Sequence, residues 1–287
     1  MKKILSGKVR EIYEVSDDRL VIITTDRISA FDVILSKPVA DKGKVLNAVS
    51  LFWFDFTRSI VPNHVISRDL EDMPEYFRKS EFDGRALLVK KLKILPFEFV
   101  VRGYLFGHMW EAYSETREFC GQKIEGEYKM AEKLAAPVFT PSTKAHVGHD
   151  EYVPFSSVVD KIGVSTADKI KEISLKLYDV CCKYAYGKGI IIADTKFEFG
   201  LDVNNNIVLA DEVFTPDSSR FWNLADYQPG VSPKSYDKQF ARDWLINNKT
   251  DGRMQFDNVP DDVLRKTSEI YKECLTRIIS ISEAPGG

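Results

Sequence analysis

Residues 190–213 read IIIADTKFEFGLDVNNNIVLADEV. After the apolar run at 190–192, strand alternation puts Asp194, Lys196 and Glu198 on one face. Ala193, Thr195, Phe197 and Phe199 fall on the other. Asn204, Asn205 and Asn206 mark a hairpin turn, because asparagine tolerates positive φ. With Asn204 and Asn205 as the central turn residues, Glu198 is expected opposite Asp211. Directly opposed side chains have Cβ atoms about 4.5–5.5 Å apart. Two carboxylates that close repel unless a cation lies between them. Mg²⁺ suits such a site, since it takes oxygen ligands from one or two carboxylates and from nucleotide phosphates. A solvated hairpin face with Lys196 between two acids is the plainer alternative.

Outward from this hairpin, the first third of the chain reads as strands. Residues 8–15 alternate, with Val9, Tyr13 and Val15 on one face and Lys8 and Arg10 on the other. A turn at 16–19 leads to a β-branched run at 20–25, completing a hairpin. A third strand is expected at 33–35, stopped by Pro38. Apolar residues then recur at helical spacing over 45–60. Strands return at 85–89 and 97–101, with Pro96 between them. The stretch 114–160 is polar and irregular, as a long functional loop or a disordered segment would be. A helix is expected from Ser165 or Thr166 to Gly187 or Gly189, and another over 261–280. Strands first and helices later argue an α+β fold rather than a βαβ array.

The chain has 287 residues, with 40 Lys+Arg against 43 Asp+Glu, a formal net charge of −3. No basic excess exists for nonspecific binding to nucleic acid or anionic membrane. Four cysteines (Cys120, Cys181, Cys182, Cys274) are too few and too irregular for a disulfide scaffold or zinc site and read as thiols in a reducing compartment. Lys8, Arg10 and Glu11 interrupt the N-terminus before a signal peptide's apolar core forms. No apolar run approaches the roughly 20 residues of a membrane span. A cytoplasmic protein is expected.

Other segments carry weaker signals. Gly7 permits close backbone approach to a phosphate, and Lys8 and Arg10 could neutralise it. A charged edge strand that blocks aggregation explains them more simply. Asp26, Arg27, Ser29 and Asp32 suit a capped turn as well as a binding loop. Arg102 ends an apolar strand before Gly103 and Gly107, a setting for an anion or for a surface turn. Lys144, His146, His149, Asp150 and Glu151 cluster as a metal site could, but without an HExxH pattern, and a solvated loop explains them more simply. Thr215, Asp217, Ser218, Ser219 and Arg220 could hold a polar substrate.

Together the segments resemble the SAICAR synthetase family (phosphoribosylaminoimidazole-succinocarboxamide synthase). The carriers, in family order, are GKVREIYEV (7–15), TTDRISAFD (24–32), GKVLN (43–47), VVRGYLFG (100–107), FTPSTKAHVGHDE (139–151), ADTKFEFG (193–200), LADEVFTPDSSRFW (209–222) and SYDKQFARDW (235–244). The resemblance implies a two-lobed α+β fold related to ATP-grasp enzymes. Residues 1–92 would form an antiparallel-sheet lobe touching ATP phosphates. Residues 93–225 would form the larger lobe with the acidic hairpin and substrate loop, and 226–287 a helical segment packed on it.

The implied reaction joins carboxyaminoimidazole ribonucleotide (CAIR) to L-aspartate, with ATP becoming ADP and phosphate through an acyl phosphate. The resemblance assigns Lys8 and Arg10 to ATP phosphates, and Glu198 and Asp211 to Mg²⁺ and nucleotide. Arg102 and Arg220 would hold CAIR, with Ser29, Asp217 and Ser219 completing that pocket. Lys144, His149 and Asp150 belong to a loop that would close over the substrates and help place aspartate. No protein nucleophile is required. A monomer or small homo-oligomer is expected, with no nucleic-acid or membrane partner. The chain departs from the family pattern in three places. His108 replaces a small hydroxyl residue, residues 147–152 read VGHDEY where relatives often read GEHDEN, and Arg10 replaces a lysine seen in some members. Rival readings are a ligase for another carboxylate and amine, a small-molecule kinase, and a nucleotide-binding regulatory module.

Overall fold

A computed structural model describes residues 1–31, 33–144 and 151–280. The first sheet is antiparallel and contains β1 (Lys2–Ser6), β2 (Arg10–Glu14), β3 (Arg19–Thr24), β4 (Val65–Ser67) and β5 (Ala86–Lys90), in the order β1-β2-β3-β5-β4. The hairpin of β2 and β3 is as the alternation predicts. β1 was not expected; it is an exposed edge strand with no buried residue to give it a pattern. The expected strand at 33–35 is a two-residue pairing of Val33–Ile34 with Ser29–Ala30.

Helix α1 (Lys42–Thr57) carries the predicted period and buries Val45, Leu46, Val49, Trp53 and Phe54. Asp26 accepts a hydrogen bond from the Gly43 amide at 2.8 Å, satisfying one of the helix's unpaired first-turn donors. Gly43 has no room for a side chain. A Cβ there would lie 2.3 Å from the Thr24 carbonyl oxygen.

The second sheet is built on β6 (Phe97–Tyr104), β7 (Lys133–Phe139), β8 (Ile190–Leu201), β9 (Ile207–Ala210) and β10 (Ser219–Asn223). Two-residue strands at Lys93–Ile94 and Ser142–Thr143 complete its seven strands. Strand β8 runs through the middle, paired with β6, β9 and β10, all antiparallel. The described residues within 114–160 hold more regular structure than their composition suggested. Besides β7 they hold the end of α2 (His108–Thr116) and α3 (Phe155–Ile162). β7 hides from a periodicity search because its pairing with β6 is broken by a register shift between Lys133 and Val138.

Helix α4 (Val164–Gly187) lies against the second sheet. It starts after Gly163, at φ 82°, so Ser165 and Thr166 sit in its first turn rather than capping it. Helix α5 (Gln239–Asn247) was not expected, whereas α6 (Asp261–Ile279) was. One end of α6 packs Val263 and Leu264 with Ile28, Leu35 and Val39. Farther along, Tyr271, Cys274 and Ile278 join the main core with Trp53, Phe99, Leu177 and Phe197. No helix among the described residues is long and apolar enough to cross a membrane.

A bulge in β8 sets what faces the cleft. Ile190 and Ile192 point into the main core, and so do Phe197 and Phe199. Even positions therefore give way to odd ones, which strict alternation forbids. The pairing with β10 shifts register between Ile192 and Asp194, inserting the extra residue that the switch needs. Ala193 accordingly packs with Ile191, Tyr104 and Trp222 rather than with the phenylalanines.

Candidate active site

Asp194 sits on β8 with an arginine beside it on each neighbouring strand. The register places Arg102 of β6 opposite it on one side and Arg220 of β10 on the other. Arg102 Nη1 donates to Asp194 Oδ2 at 2.8 Å, and Arg220 Nη1 donates to the same oxygen. Arg102 is further held by Nε to Thr140 Oγ1 at 3.1 Å and Nη2 to the Tyr152 hydroxyl at 3.1 Å. One buried carboxylate is shared by two guanidiniums, with Asp237 also acting on Arg220, and the guanidinium hydrogens not used on Asp194 suit an anion. These groups line a cavity of about 330 Å³ together with Lys196, Asp217 and Ser219. Ser219 donates to Thr195 Oγ1 at 2.8 Å.

Four residues along the same face of β8, Glu198 lies among cations. Lys144 is bonded to it, and Lys196 Nζ lies 3.8 Å from it and 2.6 Å from Glu98. Burial and the negative charge of Asp211 push the Glu198 carboxyl above the usual range. The expected cross-strand pair is one residue out of register: Ala210, not Asp211, faces Glu198. The turn is the cause. The Asp202 carboxylate accepts from the Asn204 and Asn206 amides, and Asn205 takes φ 61°, which lengthens the loop by one position. Asp211 follows β9 at φ 60°, a left-handed conformation that side chains rarely adopt and that clusters at functional sites. Burial alone would raise the Asp211 carboxyl, but Arg10, Lys196 and Lys144 hold it below its ordinary value.

Arg10 begins β2 and crosses to this acidic end. It forks onto Glu212 at 2.7 and 3.0 Å and approaches Asp211 at 3.6 Å. Lys8 does not share a strand face with it, contrary to the alternation. Residues 8–9 form a bend, closed by the Gly7 amide bonding to the Arg10 carbonyl at 2.8 Å. Arg27 holds that bend through the Gly7 carbonyl at 3.0 Å and the Glu11 carboxylate at 3.0 Å.

Asp217 is held from behind the cavity. Lys42 Nζ lies 2.6 Å from its Oδ2, and the Tyr271 hydroxyl donates to Oδ1 at 2.7 Å. Ser29 is buried in the short 29–34 pairing, near Phe31, whose ring lies under the Arg242 guanidinium of the cavity lining at 5.9 Å. His149 and Asp150 lie outside the described residues.

Comparison with known proteins decides the family. The SAICAR synthetase family model matches residues 3–259. The chain belongs to the SAICAR synthetase family. A phosphoribosylaminoimidazole-succinocarboxamide synthase of Lachnospira eligens is 51% identical, with 93% of this chain and 91% of the relative covered. Among solved structures, SAICAR synthase of Saccharomyces cerevisiae in complex with SAICAR superposes with a TM-score of 0.87 at 40% identity, covering 96% of this chain and 94% of that one. A SAICAR synthetase in complex with ADP gives 0.71 at 25%, covering 99% of each. The two-lobed arrangement of antiparallel sheets and helices is the SAICAR synthetase fold. The reaction is that of the family, ATP-driven condensation of CAIR with aspartate to SAICAR, ADP and phosphate, a step of purine biosynthesis.

Several residues of this SAICAR synthetase site were given no role by the sequence reading. Asp194 and Lys196 were placed on the face of Glu198 without partners, and Glu98 was visible only as a charge on a strand. Tyr152 and His108 come from distant segments and meet only in the fold. Lys42 opens helix α1, where a lysine ordinarily meets solvent, yet its side chain is fully buried. His64 is buried beside Asp211 with its Nε2 unpartnered, and burial lowers its pKa to about 4.

Proposed function

We propose that two positions along β8, Asp194 and Glu198, divide the substrates. Arg102 and Arg220 take CAIR, with Ser29, Asp217 and Ser219 around it. Lys8, Arg10, Glu198 and Asp211 take ATP, and Lys144, His149 and Asp150 belong to the loop that closes over both and helps place aspartate. One observation carries this reading: Asp194 with its two arginines and Glu198 with its lysines lie on one face of one strand.

Mg²⁺ fits the acidic end as an ion shared with phosphate. Glu198 and Asp211 offer hard oxygen donors whose charges oppose each other. Among the described residues no cluster of three or more His, Cys, Asp or Glu is suited to a metal, so phosphates and water would supply the remaining ligands. When bound, the ion would offset phosphoryl charge.

The chemistry asks the chain for position and charge. Transfer of the γ-phosphoryl group to a carboxylate oxygen of CAIR releases ADP and makes an acyl phosphate. The aspartate amine then attacks the acyl carbon, an amide bond forms, phosphate leaves with that oxygen, and the nitrogen loses a proton. Arginine forks orient the carboxylate, and Lys144 and Lys196 offset the charge that develops on the transferring group. The cysteines do not suit a nucleophilic role: burial pushes Cys120 up to about 11 and Cys182 up to about 12. Closure of the 140–151 loop would keep water from the acyl phosphate.

Three further readings accompany this one. Residues 1–92, 93–225 and 226–287 act as nucleotide lobe, central ATP-grasp-like lobe and helical segment. Four unpaired thiols support a reducing, cytoplasmic location. The enzyme works as a monomer or small homo-oligomer. The deciding experiment is ADP release from Mg-ATP, CAIR and L-aspartate with each omitted in turn. Release that needs all three, with SAICAR formed, supports the assignment; release without aspartate points to a kinase or a leaking acyl phosphate.

A further inference from the structure

The Tyr152 hydroxyl lies between Arg102 and His108, 3.1 Å from Arg102 Nη2 and 3.3 Å from His108 Nδ1. A guanidinium only donates, so Arg102 gives a hydrogen to the phenolic oxygen. The phenolic oxygen has two lone pairs and one hydrogen: His108 Nδ1 accepts that hydrogen in the tautomer protonated on Nε2 and donates to the oxygen in the other, and in both the hydroxyl links Arg102 to His108. Aromatic packing fixes the same geometry. The Arg102 guanidinium lies 5.3 Å from the Tyr152 ring and 5.5 Å from the Phe119 ring. The Tyr152 and His108 rings lie 5.6 Å apart.

Arg102 uses Nε on Thr140, one Nη1 hydrogen on Asp194 and one Nη2 hydrogen on Tyr152. Among the contacts of the described residues, one hydrogen on each terminal nitrogen is left for a ligand. Their direction depends on the guanidinium plane, and Tyr152 is the group that fixes the Nη2 end. Tyr152 is tied to the strand at Ser142 by a bridge, and His108 opens helix α2, so the pair links two separate elements to the arginine.

We propose that Tyr152 and His108 are a positioning pair for Arg102 and set how tightly this enzyme holds its anionic ribonucleotide substrate. This rests on the reading that Arg102 binds CAIR. Steady-state kinetics of the full chain on His108→Ala, Tyr152→Phe, the double variant, His108→Asn and Arg102→Ala test it, with thermal unfolding as a folding control. Each of the first two raises KM for CAIR about fivefold or more, the size of one lost hydrogen bond, while kcat and KM for ATP stay within about twofold. The double variant is no worse than the more severe single one, because the two act as a unit. His108→Asn, whose Oδ1 occupies much the same place as Nδ1, recovers most of the loss. Multiplying effects in the double variant, or an unchanged KM for CAIR in His108→Ala, overturns the pairing. If Arg102→Ala itself leaves KM for CAIR unchanged, the assignment of Arg102 to that substrate has failed instead. Should Tyr152→Phe unfold, the His108 series still decides.

Discussion

Lys42 and Asp217 form a buried ion pair: Nζ lies 2.6 Å from Oδ2, and the lysine side chain is fully buried. Burial pulls the lysine below its ordinary pKa, and the aspartate, though buried too, is held well below the usual carboxylate range by Lys42. Breaking such a pair from one side strands a charge. Lys42→Met is expected to cost about 3–5 kcal/mol in urea unfolding, and adding Asp217→Asn should restore part of that loss. An unchanged midpoint in the single variant would contradict the pair's burial.

Glu198 illustrates the opposite sign. Its carboxyl is raised by burial and by Asp211, so the ionised form is unfavourable in the fold. Glu198→Gln should leave the melting temperature unchanged or higher. Turnover should fall by about 100-fold or more if the charge serves the nucleotide end. Wild-type turnover in this variant refutes the assignment to metal and ATP.

Arg10 meets Glu212 as a fork, through two nitrogens. Lysine keeps the charge but cannot make both bonds. Arg10→Lys is expected to raise KM for ATP by about tenfold and leave KM for CAIR within about twofold. Equal effects on both constants would place Arg10 elsewhere.

His64 gives the protein an acid limit. Its pKa is about 4 in the fold, because burial disfavours the charged ring, against 6.5 for an ordinary histidine. Between those values the unfolded chain binds more protons than the native one, so stability rises with pH. It is lost as pH falls from about 6.5 towards 4, by ~3 kcal/mol from this residue. Urea titrations across that range should show a shallower slope in His64→Asn than in the parent.

Much of the site was legible because β8 is long and alternates cleanly where it meets the cleft. Asp194, Lys196 and Glu198 share a face, as their spacing predicts. What the spacing could not give was the turn. Asp202 captures two amides through its side chain, and that capture moved the register by one residue. The role of Asp194 was hidden for a related reason. An aspartate on a strand looks like a solvated charge until Arg102 and Arg220 arrive from strands about ninety residues upstream and about twenty-five downstream. Lys8 misled in a simpler way, since a bend at 8–9 interrupts an alternation that reads as continuous. β1 left no trace because an edge strand exposed along its whole length has no buried face to pattern.

The long strand β8 also acts as a spacer of fixed length. Asp194 and Glu198 are separated by four residues of extended backbone, about 13 Å at strand rise. Neither end can approach the other by hinge or slide, since one hydrogen-bonded backbone carries both. Whatever moves as the enzyme turns over, the gauge between its arginine pair and its acidic end stays constant, and a ligand must match that gauge to touch both.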